Sequence, residues 1–378
     1  MASESVAIVG AGLGGLALAQ SLVSNGIECC VFERDVALTA AGRSVRVHCR
    51  PAVDVSMRSC LPDDVFEAFV ASQGAPDARH VYLDGDLQVV AVDERPEAEI
   101  VLDTVTTREV LALGLGDRLE LGHEVASVSG SSDGRLTVVF TGGTSVAADV
   151  VVGADGSEST ARRFATDAPD VHDVQLWSLY GTVDLDEHAE LEIPEWLRDA
   201  FAIVVAGEVK VALGVYEPTG RAELRRHPSV HQRRYLFWNV LGKRETLQPL
   251  ALAGIARLVG EASPWLADAV CCTSPAGVGR FQLQTSRRVG ARDGLDGLDG
   301  LILLGDAAHP MLPAALSASV AVDDARRLGA ALADPRRGTT LRERAVRAKE
   351  GMLEAAFARV REAEFLAGPA FGLTGIGA

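Results

Sequence analysis

The feature that most restricts the fold of this chain is a group of glycines near its start. Gly10, Gly12 and Gly15 form the pattern Gly-x-Gly-x-x-Gly. An uninterrupted apolar stretch at 6–9 precedes them, and residues 16–23 carry apolar side chains at helical spacing. This order predicts a strand, a tight turn and a helix, the first part of a βαβ unit.

The same glycines predict a binding site for a dinucleotide. Gly10 permits a tight turn, Gly12 lets a pyrophosphate approach the backbone, and Gly15 lets the helix pack closely. The helix N-terminus stabilises the anion, and Glu33, at the end of the next strand, can accept hydrogen bonds from a ribose. The alternative interpretation is a helix cap whose small residues serve packing alone.

Length and charge limit the remaining possibilities. With 378 residues and 48% hydrophobic residues, the chain can form two or three units with a large core, which Ala, Val and Leu dominate because aromatics are 5%. The formal net charge of -16 disfavours nucleic acid or a membrane surface as the main partner.

Cysteine spacing indicates neither disulfides nor a metal site. No Cys-x-x-Cys and no histidine at zinc-finger spacing occurs, so we expect no metal. Reduced thiols fit a cytoplasmic protein. The uncharged run at 6–26 is broken by glycines and Gln20 and has no basic leader, so it does not predict a signal or membrane segment. The cysteines are Cys29, Cys30, Cys49, Cys60, Cys271 and Cys272.

Further along the chain, patterns alternate between strands and helices. Residues 42–61 predict a loop followed by a helix, and another helix starts near Thr106. Hairpins are predicted at 81–92 and 136–152. A short buried strand is expected at 301–304, and helices follow from near Ser319. A separate sheet on the substrate side is predicted from the strands at 177–185, 201–206, 209–216 and 235–240. The acidic repeat at 293–300 reads as a loop, or less favourably as a calcium site.

Two later motifs decide which dinucleotide is expected. The first is Gly153-Ala154-Asp155-Gly156-Ser157, continued by Arg162-Arg163. The second is Leu303-Leu304-Gly305-Asp306-Ala307-Ala308-His309, with Pro313 beyond it. With the glycine motif, they resemble in order the three fingerprints of the class A flavoprotein monooxygenases, the group of p-hydroxybenzoate and salicylate hydroxylases. The resemblance covers about the first 330 residues.

The resemblance implies an α/β fold: a Rossmann-like FAD-binding domain with an inserted β-sheet substrate domain and C-terminal helices. The implied FAD-binding domain is discontinuous. It comprises 1–75, 98–163 and 280–335, the substrate domain comprises 76–97 and 164–279, and 336–378 form a C-terminal helical segment and tail.

The resemblance also implies how FAD is held. Asp306 would bond the ribityl chain, Asp155 would support the FAD-binding core and the nicotinamide route, and Arg108, in an Arg-x-x-Leu pattern, would reach the cofactor. Arg43 resembles an arginine near the pyrophosphate; otherwise both arginines are surface charges or ion-pair partners. His309 is expected to be structural. The full set of expected cofactor contacts is Gly10, Gly12, Leu13, Gly14, Gly15, Glu33, Arg34, Arg43, Arg108, Asp155, Gly305, Asp306 and Pro313.

The chain departs from the family pattern after Pro313. The family continues with a glycine-rich loop close to the flavin ring, whereas residues 314–319 contain no glycine. Added Cβ atoms and costly positive φ angles are therefore expected there. The family's Trp-Arg-Gly is Leu179-Tyr180-Gly181 here, which removes an arginine that could serve the flavin or substrate.

The function implied is an FAD-dependent monooxygenase that uses NAD(P)H and O₂ to hydroxylate an aromatic or polyketide-like molecule through a flavin C4a-hydroperoxide. NAD(P)H would bind transiently in a groove, since no second strand-associated Gly-x-Gly-x-x-Gly occurs. The altered loop motivates an alternative, a non-redox cyclisation on a fold whose FAD is structural or lost. A nicotinamide-only dehydrogenase and a flavin halogenase are disfavoured. No histidine stands in a motif that assigns a catalytic acid or base.

Overall fold

The computed structural model describes residues 4–39, 44–94, 99–131, 133–289 and 298–368. The strands are β1 (Ser5–Val9), β2 (Glu28–Glu33), β3 (Arg46–Cys49), β4 (Arg79–Leu83), β5 (Val89–Glu94), β6 (Ile100–Asp103), β7 (Leu119–Leu121), β8 (Val125–Gly130), β9 (Leu136–Phe140), β10 (Ser145–Ala148), β11 (Val150–Gly153), β12 (Asp170–Asp184), β13 (Ala200–Ala206), β14 (Val209–Tyr216), β15 (Tyr235–Lys243), β16 (Gly279–Arg287) and β17 (Leu301–Leu303). The helices are α1 (Leu13–Ser24), α2 (Ala52–Cys60), α3 (Asp63–Ala71), α4 (Thr104–Leu111), α5 (Arg221–Leu224), α6 (Arg244–Leu247), α7 (Leu252–Gly260), α8 (Pro264–Cys271), α9 (Ser317–Ala333) and α10 (Leu341–Ala367).

A five-stranded parallel sheet in the order β17-β11-β1-β2-β7 forms the first layer. Both β1 and β11 are apolar and almost wholly buried, as expected for central strands covered on both faces. Helix α1 connects β1 to β2 and packs against α9. The predicted βαβ unit and the α/β class are confirmed.

A seven-stranded sheet in the order β16-β12-β15-β14-β13-β4-β5 forms the second layer. Its strands include all four runs that the sequence predicted, and β4 and β5 form the predicted antiparallel hairpin at 81–92. One face packs on α7 and α8, with Trp238 and Leu213 buried there beside Ile255 and Leu266. The opposite face looks towards β3 and β6.

The antiparallel pair β3 and β6 lies between the two large sheets. Val101 of β6 packs against Tyr180, Tyr216, Tyr235 and Phe237 of the seven-stranded sheet. The prediction of a loop and then a helix at 42–61 missed β3, because this strand is only four residues long and carries arginine and histidine. Its partner β6 lies about fifty residues later in the chain.

The predicted hairpin at 136–152 is correct in its first part and wrong in its second. Strand β9 pairs with β10, but the apolar run breaks after Ala148, and β11 then joins the parallel sheet. The helices expected near Thr106 and Ser319 are α4 and α9, and they begin two residues earlier, at Thr104 and Ser317.

Helix α10 begins with a capping box at Thr340 and packs along α9. Among the described helices, none combines the length and apolar character that crossing a membrane requires. Most of the acidic repeat at 293–300 lies outside the described residues.

Candidate functional site

The glycine turn, residues 10–15, has a shape that side chains would prevent. Gly10 has a φ of 105°, and a Cβ there would lie 2.3 Å from the carbonyl oxygen of Ala154. A Cβ on Gly15 would lie 2.1 Å from the carbonyl oxygen of Gly10. Gly14 brings α1 against Leu304, whose Cδ1 would be 2.7 Å from an added Cβ. Backbone contacts therefore require glycine at positions 10 and 15, whereas Gly14 meets a side-chain end that can shift.

Gly12 is different, because an added Cβ would meet nothing closer than Ala154 O at 3.9 Å. Its Cα borders open space, as expected where a ligand approaches the backbone. Helix α1 begins directly afterwards at Leu13, with no side-chain cap and no acidic residue in its first turn. The first amides of α1 therefore remain available to an anion, which is the condition for holding a pyrophosphate.

Glu33 and Arg108 hold the glycine turn from the other side. Glu33 Oε2 accepts a hydrogen bond from the Ala11 amide at 2.7 Å and lies 3.3 Å from Arg108 Nη2. Arg108 Nε donates to the Ala11 carbonyl at 2.8 Å, and Nη1 donates to Leu38 O at 3.1 Å. Arg108 thus holds the turn itself. Glu33 Oε1 accepts from the Asp35 amide at 3.1 Å and keeps one lone pair for a ribose hydroxyl.

Two further arginines, Arg34 and Arg43, are predicted to contact the cofactor. Arg34 is exposed, although it directly follows Glu33 in the chain. Arg43 lies outside the described residues. Direct contacts of both residues with a cofactor stay predictions.

In the second motif, Asp155 caps a short helical turn. Its Oδ1 accepts from Ser159 Oγ at 2.5 Å, and its Oδ2 accepts from the amides of Thr160 at 2.8 Å and Ala161 at 3.0 Å. These bonds are internal to the protein, so they support the turn after β11.

Arg162 fastens the second motif to the third. Its Nε donates to the carbonyl of Ala307 at 2.7 Å, its Nη2 to that of Asp306 at 2.7 Å, and its Nη1 to that of Ser157 at 2.9 Å. The sequence contained this arginine in a motif but did not reveal its role.

In the third motif, a buried carboxylate organises the turn at Gly305. Gly305 has a φ of 59°, and its amide donates to Asp324 Oδ2 at 3.0 Å. The same oxygen lies 2.5 Å from His309 Nε2. Burial opposes the charged imidazole, but the carboxylate of Asp324 outweighs it and raises the pKa of His309. This geometry agrees with a structural role for His309.

Asp306 already has a partner within the protein. Its Oδ1 accepts a hydrogen bond from Ser317 Oγ at 2.6 Å, at the start of α9. The second oxygen can accept from a ligand hydroxyl, so Asp306 fits the ribityl-binding role while Ser317 fixes its orientation. No sequence motif pointed to Ser317.

The glycine-free loop adopts a left-handed backbone in spite of its composition. Ala315 has a φ of 58°, a conformation that a Cβ makes costly. Leu316 is buried, whereas Pro313 is exposed. Ser319 Oγ accepts from the Arg50 amide at 3.0 Å, so the loop lies against the end of β3.

The motifs meet at one edge of the parallel sheet. The register pairs Val9 with Phe32 and with Gly153, and Gly153 with Leu303. Glu33 ends its strand, and Gly10, Asp155 and Asp306 follow the ends of the neighbouring parallel strands. All four lie at the carboxyl edge, where ligands of open α/β sheets bind. With the uncapped α1 and Gly12, this edge fits an extended dinucleotide such as FAD.

A row of side chains crosses the face of the seven-stranded sheet that looks towards β3. We call it the sheet wall; directly opposed residues place its members on one face. Ser178 Oγ donates to Asn239 Oδ1 at 2.7 Å on this face. All members except Tyr180 are half-buried, so the wall can cover a planar molecule. Its members are Tyr82, Ile203, Ala212, Asn239 and Tyr180.

A charged cluster lies beside the wall, and the sequence did not reveal it. Arg46 donates two bonds to Asp77, at 2.8 and 2.7 Å, and His48 Nε2 lies 2.6 Å from Asp77 Oδ2. Burial and Arg46 lower the pKa of His48. Although burial opposes it, the contacts with His48 and Arg46 lower the pKa of Asp77.

Comparisons with known proteins agree with this geometry. A family model described as FAD binding domain matches residues 3–169. The dual O-methyltransferase/FAD-dependent monooxygenase CTB3 of Cercospora beticola is 27% identical across 88% of this chain and 42% of that protein. The FAD-dependent urate hydroxylase of Klebsiella pneumoniae is 26% identical across 85% of this chain and 80% of that protein.

Solved structures share the fold across almost the whole chain. A putative FAD containing monooxygenase from Photorhabdus luminescens has a TM-score of 0.72 at 20% identity, covering 96% of this chain and 98% of that one. The 2,6-dihydroxypyridine-3-hydroxylase of Arthrobacter nicotinovorans has a TM-score of 0.73 at 18% identity, covering 97% and 92%.

The chain covers only part of the length of some of these relatives. It spans less than half of the first ones that it matches, 42% of the Cercospora beticola protein and 30% of its Cercospora nicotianae counterpart. The FAD-binding motifs, the two-sheet fold and the matched FAD domain nevertheless agree, and the expected cofactor FAD is confirmed. Residues 3–169 match an FAD binding domain, and the chain as a whole resembles FAD-dependent monooxygenases.

Proposed function

We propose that this protein is an FAD-dependent monooxygenase that uses NAD(P)H and O₂ to hydroxylate an aromatic or polyketide-like small molecule. The observation that carries the proposal is the convergence of Gly10, Glu33, Asp155 and Asp306 at the carboxyl edge of one parallel sheet. The names of the relatives support it, since they include a urate hydroxylase and a 3-amino-4-hydroxybenzoate 2-monooxygenase.

Different residues are expected to contact different parts of the cofactor. The amides at the start of α1 bind the pyrophosphate, Glu33 accepts from the ribose, and Asp306 accepts from the ribityl chain. Gly305, Asp155 and Arg108 hold the backbone that makes these contacts. Leu13, Gly14, Arg34, Arg43 and Pro313 complete the proposed set.

Bound FAD supplies the oxygen-transfer chemistry, with NAD(P)H as a transient reductant. The chain's own residues bind and orient the substrate. The sheet wall offers Tyr82 and Ile203 as apolar contacts and Asn239 as a hydrogen-bonding group, which suits a planar ring with polar substituents. Buried Leu316 and the loop around it exclude water from the flavin side.

We also propose the domain boundaries and the cellular location that the sequence predicts. The FAD-binding segments are 1–75, 98–163 and 280–335, and the substrate segments are 76–97 and 164–279. All six cysteines, which lie in described parts of the chain, are free thiols, which suits the cytoplasm. The non-redox cyclisation is not favoured, because the relatives are named for oxygen insertion.

The test begins with the visible spectrum of the purified protein and identification of any released cofactor. We expect bound FAD, oxidation of NAD(P)H that phenols stimulate, and a product that has gained one oxygen atom. Asp306→Ala should lose FAD, whereas Asp63→Ala, at an exposed site, should keep it. A protein that binds no FAD would refute the cofactor assignment. Product formation that persists without reductant and oxygen would refute the monooxygenase reaction.

A further inference from the structure

Three side chains with metal-binding groups converge beside the sheet wall. His48 lies on β3, His80 on β4, and Glu99 directly before β6. Their ligand atoms all lie within 4.8 Å of one another, and His80 Nε2 is 3.7 Å from Glu99 Oε2. The side chains are only 12%, 11% and 13% exposed, respectively. We call these three residues the His48 cluster.

We infer that the His48 cluster binds one divalent transition-metal cation, of which Zn²⁺ is the reference case. Two imidazole nitrogens and one carboxylate oxygen form a ligand set that leaves a fourth position for water. Ligand distances of about 2.0–2.1 Å require the ligand atoms to approach to roughly 3.3 Å of each other. Since the present separations reach at most 4.8 Å, each pair of ligand atoms must approach by up to about 1.5 Å.

The surroundings of the cluster suit a bound cation. Metal-bound histidines usually bind the metal through one ring nitrogen and a carboxylate through the other. Asp77 Oδ2 lies 2.6 Å from His48 Nε2, which leaves His48 Nδ1 for the cation. Arg46 Nη1 also lies 2.8 Å from His48 Nε2, and the two bonds from Arg46 to Asp77 offset the positive charge of Arg46. The ring of Phe201 lies 4.6 Å from that of His48 and 5.4 Å from that of His80, and it limits how both rings can turn.

A route for the ion reaches the edge of the cluster. Asp77 borders a cavity of about 880 Å³, together with Glu217 and Arg234. Asp77 therefore contacts both the cavity and His48. No spacing in the sequence indicated a metal site, because the three ligands come from separate elements.

A second group of possible ligands provides a matched control. His188, Glu190 and Cys272 also place ligand atoms within 4.8 Å of one another, but Glu190 is exposed and one ligand is sulfur. Zinc–sulfur bonds are about 2.3 Å long and differ from zinc–nitrogen bonds of about 2.0–2.1 Å. X-ray absorption at the zinc edge therefore distinguishes the two sites.

The experiment titrates chelator-treated, FAD-loaded protein with Zn²⁺ by calorimetry and records the zinc-edge spectrum. We expect one equivalent to bind, with nitrogen and oxygen ligands, no sulfur, and a rise in Tm. His80→Ala and Glu99→Gln should each weaken binding at least about 10-fold, the smallest loss typical of changes around a metal. His188→Ala should leave the affinity unchanged.

Retained flavin absorbance and an unchanged Tm without zinc establish that each variant is folded, and Glu99→Gln conserves side-chain shape. The inference is overturned if the wild-type protein binds no zinc, if binding survives both cluster variants, or if the spectrum contains sulfur. The readouts do not depend on hydroxylation, so they stand apart from the proposed activity.

Discussion

The two ends of the proposed FAD groove reach their shapes by different means. At the ADP end, Cβ atoms on Gly10 and Gly15 would lie only 2.3 and 2.1 Å from backbone oxygens, so these two positions of the glycine turn require glycine. At the flavin end, residues 313–317, Ala315 adopts a φ of 58° although it has a Cβ. Residue type therefore determines the backbone at the first end, whereas surrounding contacts impose it at the second. Buried Leu316 and the Ser317–Asp306 bond are two such contacts.

The largest expected effect is at the ADP end. Gly15→Ala places a Cβ 2.1 Å from the backbone oxygen of Gly10, and neither backbone segment can move without breaking the turn. We expect a loss of about 3 kcal/mol or more in the free energy of unfolding, measured by urea denaturation. Gly351→Ala is the control, because nothing lies within 4 Å of that position in α10. It should gain about 0.5–1 kcal/mol. Equal stabilities of the two variants would contradict the steric argument.

The next largest effect is expected at His309 and Asp324, the buried pair that supports the flavin end. Because Asp324 raises the pKa of His309 above its usual value of 6.5, the pair stabilises the fold fully below about pH 6.5. That contribution is lost as pH rises through the raised pKa. His309→Gln leaves Asp324 buried without its cation and should cost about 3 kcal/mol at pH 6. Urea denaturation at several pH values should show the difference from wild type shrinking towards alkaline pH.

His172→Gln is the surface control for that experiment. His172 is 49% exposed beside Asp170, so its pair is screened by water. We expect a change of at most about 0.5 kcal/mol. A pH-independent loss in His309→Gln would show that packing, and not charge, accounts for the effect.

A smaller effect is expected when the clamp at the ADP end is removed. Arg108→Met keeps much of the side-chain volume but deletes the bonds to Ala11 and Leu38 and the contact with Glu33. We expect FAD affinity to fall about 10- to 100-fold, measured by fluorescence titration of the apoprotein. Arg58→Met, at a site 54% exposed, should leave the affinity unchanged. A Kd for Arg108→Met within about 2-fold of wild type would remove Arg108 from the proposed site.

These regions also differ in what the sequence could reveal. The glycine turn was predictable because its signal is local, with strand, glycines, helix and Glu33 within thirty residues. The three fingerprints and the fold class followed from similar short runs. Strand β3 was missed because its partner β6 is distant and its residues are polar.

Side-chain roles that depend on distant contacts could not be predicted. Ser317 bonds Asp306 from the start of α9, and Arg162 bonds four carbonyls across two motifs. His48 and His80 carried no motif, and only the packing of β3 against the seven-stranded sheet brings them together. For the glycine-free loop, the expected strain was located correctly, and the structure places it at Ala315.

The smallest expected effect addresses that strain directly. Ala315→Gly removes the Cβ from a left-handed backbone, a conformation that costs a non-glycine residue roughly 1–2 kcal/mol. The added freedom of the unfolded chain offsets part of the gain, so we expect about 0.5–1 kcal/mol of stabilisation by thermal unfolding. Ala314→Gly, where φ is not positive, should instead lose about 0.4–1 kcal/mol. If both variants lose stability equally, Ala315 is not strained, and the two ends of the groove do not differ in the way proposed.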